Sequence, residues 1–262
     1  MALKTLFDQR RALVGWVTSL ALLVAMYVAI WPSMRGQPSM SDFLDQMPEA
    51  MRSLFATTGA DLSTPVGYLQ VELLSFMGPL VLMLYTVTAG AAAVAGEEDR
   101  RTMDMLLSTP VSRSRVVVEK LMAMCVGVLL LAAVGLVSLM GGGALADMGL
   151  SWPDVTAAML HMALLALVFG TLALAVGGIT GHATLSRAVP AVVAVVAYVV
   201  NGLAPVVSWL EPFQKLSPFY QYIGHDPLRH GVSWSSVAVA VTTVVVLAVV
   251  AVLGFRRRDV LS

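Results

Sequence analysis

The sequence predicts an all-α polytopic membrane protein, one domain of six transmembrane helices with both termini on the cytoplasmic side. Three observations carry this reading. Of the 262 residues, 58% are hydrophobic and only 12% charged, about half the charge of a soluble domain at roughly 25%. Six runs are apolar over the length of about 20 residues that a bilayer crossing needs. Lys and Arg also divide unevenly between the loops. With the N-terminus inside, twelve fall on the inner side, and four (Arg35, Arg52, Lys215 and Arg229) on the outer; the basic side is the cytoplasmic one.

The spans are expected at about 12–31, 69–95, 121–145, 155–179, 188–210 and 237–255, within a single domain 1–262. The first follows Arg10 and Arg11 as a signal peptide would. It is too long for the apolar part of such a peptide, and its exit, WPSMRGQ, has no small-residue cleavage site, so it reads as a retained anchor. In the outer loop 32–68, Phe43, Leu44, Met47, Met51, Leu54 and Phe55 recur at helical spacing behind Ser41 as N-cap. This is an amphipathic helix, lying either on the outer membrane surface or on the protein's own outer face.

In span two, Gly78-Pro79 predicts a kink, because proline removes a backbone donor. Glu72 stands near the outer start of this span. A charge there is costly and often functional, so Glu72 is a candidate for a substrate path, unless it is shallow enough to reach the interface. The inner end, AGAAAVAG (89–96), and the Gly177-to-Gly181 spacing at the end of span four allow close helix approach, inside the chain or at a seam between copies. His161 in span four reads as a packed histidine. Asn201, with Pro205, can shape a cavity in span five. The last outer loop, 211–234, carries Phe213, Phe219, Tyr220, Tyr222 and Trp234. It is too apolar to lie free in water and is expected to fold back on the outer leaflet or cap the bundle.

A quarter of the chain's charged side chains fall in GEEDRRTMDMLLSTPVSRSR, residues 96–115, between spans two and three. Glu97, Glu98 and Asp99 suit a helix N-terminus, where the macrodipole favours negative charge. Met103, Leu106 and Leu107, at i, i+3 and i+4, form one apolar stripe. Thr109-Pro110 ends it, with Thr109 placed to cap the next helix and Pro110 to open it. That helix runs through Arg113, Arg115 and Lys120 into span three. A short amphipathic helix therefore lies across the cytoplasmic mouth, and the pattern alone leaves docking of a partner and simple anchoring of the loop equally open.

Several function classes lack support. The net charge is zero and gives no reason to expect nucleic acid. A single cysteine, Cys125, allows neither an internal disulfide nor a cysteine metal site. There is no phosphate-binding G-x-x-x-x-G-K-[ST] loop, no H-E-x-x-H and no G-x-S-x-G, so neither catalytic residues nor a cofactor of the chain's own are expected. The spacing of His225, Asp226 and His230 suits no standard metal site, and no metal is expected. Few ionisable groups lie deep in the spans, which argues against an ion-coupled transporter; energy for any transport enters from outside the chain.

The run EEDRRTMDMLLSTPVSRSRVVVEK (97–120) resembles the signature of ABC type-2 export permeases. In that family an acidic pair precedes Gly-Thr, a Leu-rich turn, Pro-Val-Ser-Arg, and a Lys entering the third span. Glu97 and Glu98 match the start. Thr102, Leu106, Leu107 and Ser108 match the middle, and Pro110, Val111, Ser112, Arg113 and Lys120 the end. Arg101 stands where the family usually has Gly. MPEAMRSLF before span two, LSPFYQYIGHDPL before span six and the six-span layout are similar too, so the likeness covers nearly the whole chain.

The resemblance implies a permease subunit of a bacterial ABC exporter, multi-pass in the cell (inner) membrane and itself no enzyme. Such a chain forms half of a pore with a second permease copy, as a homodimer or a related heterodimer. Each half docks on one of two copies of a separate ATPase, which binds the ATP and Mg²⁺. The helix after span two becomes the coupling helix, with Glu97, Glu98, Arg100, Arg101, Met103, Leu106, Leu107, Pro110 and Arg113 as coupling residues. Glu72 and Asn201 are the candidates for the path, and the apolar, small-residue lining suits amphiphilic or hydrophobic cargo. The alternative is a non-transporting anchor or regulatory subunit that recruits a cytoplasmic partner.

Overall fold

The computed structural model describes residues 10–35, 48–54, 61–99 and 112–258. Six long helices dominate: α1 (Arg10–Met34), α2 (Pro65–Ala93), α3 (Arg113–Leu145), α4 (Trp152–Thr180), α5 (Ala183–Leu203) and α6 (Trp234–Arg257). All six are long and apolar enough to cross a membrane, and no strand occurs among the described residues. α4 is the hub. It is buried along nearly its whole length, and its main neighbours are α2, α6, α3 and α5. α5 and α6 expose most of their valines, as helices facing lipid do.

Polar groups and small residues hold α4 to its neighbours, because apolar side chains gain little from leaving lipid for each other. The Thr86 hydroxyl on α2 donates to the Ala166 carbonyl on α4 at 2.6 Å. Gly90 lies against the Gly170 carbonyl so closely that a Cβ would strike it. The Ser186 hydroxyl on α5 donates to the Ala173 carbonyl at 2.5 Å. Gly177 packs beside Ser186 and Ala95, and Gly181 forms the turn after α4 with φ +71°. The small-residue spacing at the end of α4 is therefore used within the chain.

α2 opens on a local signal. Thr64 caps it, its hydroxyl accepting from the Gly67 N–H at 3.1 Å, and Pro65 occupies its first turn, where a missing N–H costs nothing. In the preceding turn, the exposed Asp61 carboxylate accepts from the Ser63 hydroxyl (2.6 Å) and N–H (2.9 Å). These bonds hold its pKa below the ordinary value, the hydroxyl's contribution being the larger.

At Gly78-Pro79, where a kink is expected, the helix changes type. Residues Gln70–Met77 are π-helical, and the Gly78 N–H reaches back to the Leu73 carbonyl. Continuing that i→i+5 register would pair residue 79 with the Leu74 carbonyl, but Pro79 has no N–H to give. The Tyr222 hydroxyl takes its place, donating to the Leu74 carbonyl at 2.7 Å.

Tyr222 belongs to the short helix Pro218–Ile223 in the 211–234 loop, which folds back on the bundle. Phe219 packs between Phe169 of α4 and Tyr198 of α5, and both Phe219 and Tyr222 are buried. His161 is a buried packing residue, its Nε2 accepting from the Ser233 N–H at 3.2 Å. His230 Nδ1 lies 3.1 Å from the His225 carbonyl, their rings tilted against each other at 5.6 Å. Of the 41–55 stretch, the helix Glu49–Leu54 is described. It rests on α5, where the Tyr198 hydroxyl donates to the Leu54 carbonyl at 2.6 Å, which favours packing on the protein's own face.

Several element ends differ from expectation, two of them for a clear local reason. α5 stops at Leu203 rather than near 210, because Pro205 cannot continue the hydrogen-bond ladder although the run stays apolar. Ser112, not Thr109, caps α3, its hydroxyl accepting from the Arg115 N–H at 3.3 Å. A side-chain acceptor nearer the helix start wins, and Thr109 and Pro110 lie outside the described residues.

Candidate functional site

At one end of the bundle, α2 turns sharply at Val94 (φ −121°, ψ −63°) into the short helix Ala95–Asp99. The Val94 carbonyl accepts from the N–H groups of both Glu97 and Glu98, at 3.1 and 3.2 Å. The bend is gripped from below by a compact apolar cluster of Ala93, Val94, Val117, Leu174, Ala175, Ala251 and Phe255. Four long helices, α2, α3, α4 and α6, thus meet under the start of the charged segment.

Above that cluster lies a layer of charge. Lys120 Nζ on α3 bonds Glu97 Oε1 at 2.8 Å, and Arg258, just past α6, bonds the Glu98 carboxylate. The Arg113 guanidinium at the start of α3 donates to the Phe255 and Arg258 carbonyls, at 3.3 and 2.5 Å, and lies 5.6 Å from the Phe255 ring centroid, over its face. A cation at a helix C-terminus answers both its unpaired carbonyls and its dipole. Arg115 stands further out, pairing with Glu119 one turn on at 2.8 Å.

Of the sequence-designated coupling residues, the structure brings Glu97, Glu98 and Arg113 together in this joint. Arg100, Arg101, Met103, Leu106, Leu107 and Pro110 lie outside the described residues. Sequence reasoning misses Arg258, which counts there only among the twelve basic residues of the inner side. Nothing in a charge count distinguishes it from Arg256 and Arg257.

The two path candidates stand apart from the joint. Glu72 is half-buried in the π-helical segment. Asn201 sits near the end of α5, its carbonyl accepting from Gln214 Nε2 at 3.2 Å. Neither lines the cavity between α2 and α5. That is an open groove of about 370 Å³, floored by Phe169 and Phe219. Its walls include Phe76, Pro79, Met83, Ala194 and Tyr198. The polar side chains in it are engaged: Ser75 donates to the Gln70 carbonyl at 2.6 Å and Tyr198 to Leu54.

Five long apolar helices packed around or beside a sixth, buried one define a multi-pass membrane protein. A family model described as ABC-2 family transporter protein matches residues 1–260, and the chain belongs to that family: it is an ABC transporter permease, the membrane domain of the transporter. No curated protein matches the chain.

Proposed function

We propose that this permease is one half of an export pore driven by a separate ATPase, and that the 97–120 segment is where the ATPase engages it. In this reading the joint faces the cytoplasm and both chain termini lie on that side of a bacterial inner membrane. ATP and Mg²⁺ sit on two ATPase copies, and a second permease copy completes the path. One observation carries the reading. The segment that resembles the family's coupling signature begins and ends in a joint that ties α2, α3, α4 and α6 together. Force applied there reaches four spans at once. Cargo then moves along a mostly apolar route; the α2–α5 groove offers such a surface, whereas Glu72 and Asn201 lie to one side of it.

Capture from membranes tests the docking assignment. Leu106→Asp with Leu107→Asp removes the apolar ridge and leaves the spans untouched. The doubly charged protein is expected to insert normally and to lose the co-purifying ATPase that the unaltered chain retains. Undiminished capture contradicts docking through this ridge and favours an anchoring role for the segment.

A further inference from the structure

α6 is the least enclosed span: only 6% of its most apolar window is buried, against 83% for α4. It packs mainly on α4 and, less extensively, on α3, with few residues enclosed on all sides. Yet its last residues are the most heavily tied part of the joint. Phe255 is fully buried in the four-helix cluster. Arg113 of α3 holds the Phe255 and Arg258 carbonyls. The Arg258 guanidinium reaches across to Glu98, in the first turn after the bend in α2.

That contact is screened from water, the two side chains being 19% and 16% exposed. Gly181 leaves it space: a Cβ at this turn between α4 and α5 would collide with both the Arg258 guanidinium and the Glu98 carboxylate. One ion pair therefore touches α2's extension, the end of α6 and the α4–α5 turn.

We infer that Arg258 is a positioning residue for coupling: it latches the end of α6 to Glu98, so that displacement of the 97–120 segment carries α6 and the α4–α5 turn along with α2 and α3. This rests on the coupling reading given above. The latch stays closed through the cycle, since its task is transmission. It is tied to charge and reach, so a lysine at 258 preserves it in part and a glutamate opens it.

The test uses the full chain co-purified with its ATPase and reconstituted in nanodiscs of phosphatidylethanolamine and phosphatidylglycerol. Three quantities are read: the amount of ATPase captured, the thermal midpoint of the complex, and ATP turnover relative to the ATPase alone. Arg258→Glu is expected to capture as much ATPase as the unaltered chain and to lower the permease-dependent part of turnover roughly tenfold, within the range of measured site-to-site couplings. Arg258→Lys keeps most of that turnover. A merely structural staple would lower the midpoint and leave turnover per complex unchanged at a temperature where the complex is folded. Full turnover in Arg258→Glu, or an Arg258→Lys variant as poor as Arg258→Glu, overturns the latch and leaves the coupling reading standing. If the unaltered chain captures no ATPase, the coupling reading falls and takes the latch with it.

Discussion

Tyr222→Phe removes one oxygen atom from a buried position and tests the account of the π-helical segment. The Tyr222 hydroxyl is the donor that the Leu74 carbonyl receives at 2.7 Å, in the place where Pro79 offers none. Without it, a buried carbonyl is left without that donor at a cost of about 1–3 kcal/mol, and the phenylalanine ring keeps the packing. Pro79→Ala returns an N–H at position 79. In that background Leu74 regains a backbone donor, and the loss of the hydroxyl should cost less, so the two changes are coupled by roughly 1 kcal/mol.

The assay is denaturant unfolding of the four purified proteins in the same detergent, followed by tryptophan fluorescence and analysed as a double-mutant cycle. Equal losses for Tyr222→Phe in both backgrounds would refute the substitution of a phenol for the missing proline donor. Burial also raises the Tyr222 phenol above its ordinary pKa, which is about 10. A group whose folded pKa is raised gives stability that is complete below the unfolded value and declines as pH rises past it. The unaltered protein should therefore lose stability more steeply above about pH 10 than Tyr222→Phe does.

The interface of α2 with α4 yields two further expectations. Thr86→Val deletes the buried 2.6 Å bond to Ala166 and should cost about 0.6–2 kcal/mol, the range of interhelical hydrogen bonds in membranes, measured by the same unfolding assay. Gly90→Leu forces a side chain into the Gly170 backbone. Overpacking of this kind costs about 1–3 kcal/mol or more, so the monodisperse fraction on size exclusion should fall sharply, and an unchanged profile would show that α2 and α4 do not approach this closely.

What is legible in the sequence follows from the solvent. Lipid demands long apolar runs with internally paired backbones, so all six spans stand out from hydropathy alone. Their ends are less visible, because hydropathy does not register caps. Thr64-Pro65 starts α2 ahead of the apolar run, and Pro205 ends α5 while the run continues. The Gly78-Pro79 pair announces an irregularity, but its π-helical form depends on Tyr222, distant in sequence. The joint is half legible. Glu97, Glu98 and Arg113 stand out through motif and charge density, whereas Arg258 acquires its meaning only when α6 folds beside the bend in α2. Glu72 and Asn201 draw notice as polar groups in apolar runs. The groove is built instead from aromatic and aliphatic side chains such as Phe76 and Phe219 that no pattern separates from ordinary lipid-facing residues.

Site-specific photocrosslinking in intact membranes tests the central claim most directly. A benzophenone amino acid is placed at position 106, in the segment proposed to dock, or at position 209, where Trp209 is exposed beyond the end of α5. The account predicts that irradiation traps an ATP-binding subunit from position 106 and none from position 209. An ATPase trapped from 209, or no adduct from 106 in membranes that contain the assembled complex, would contradict it.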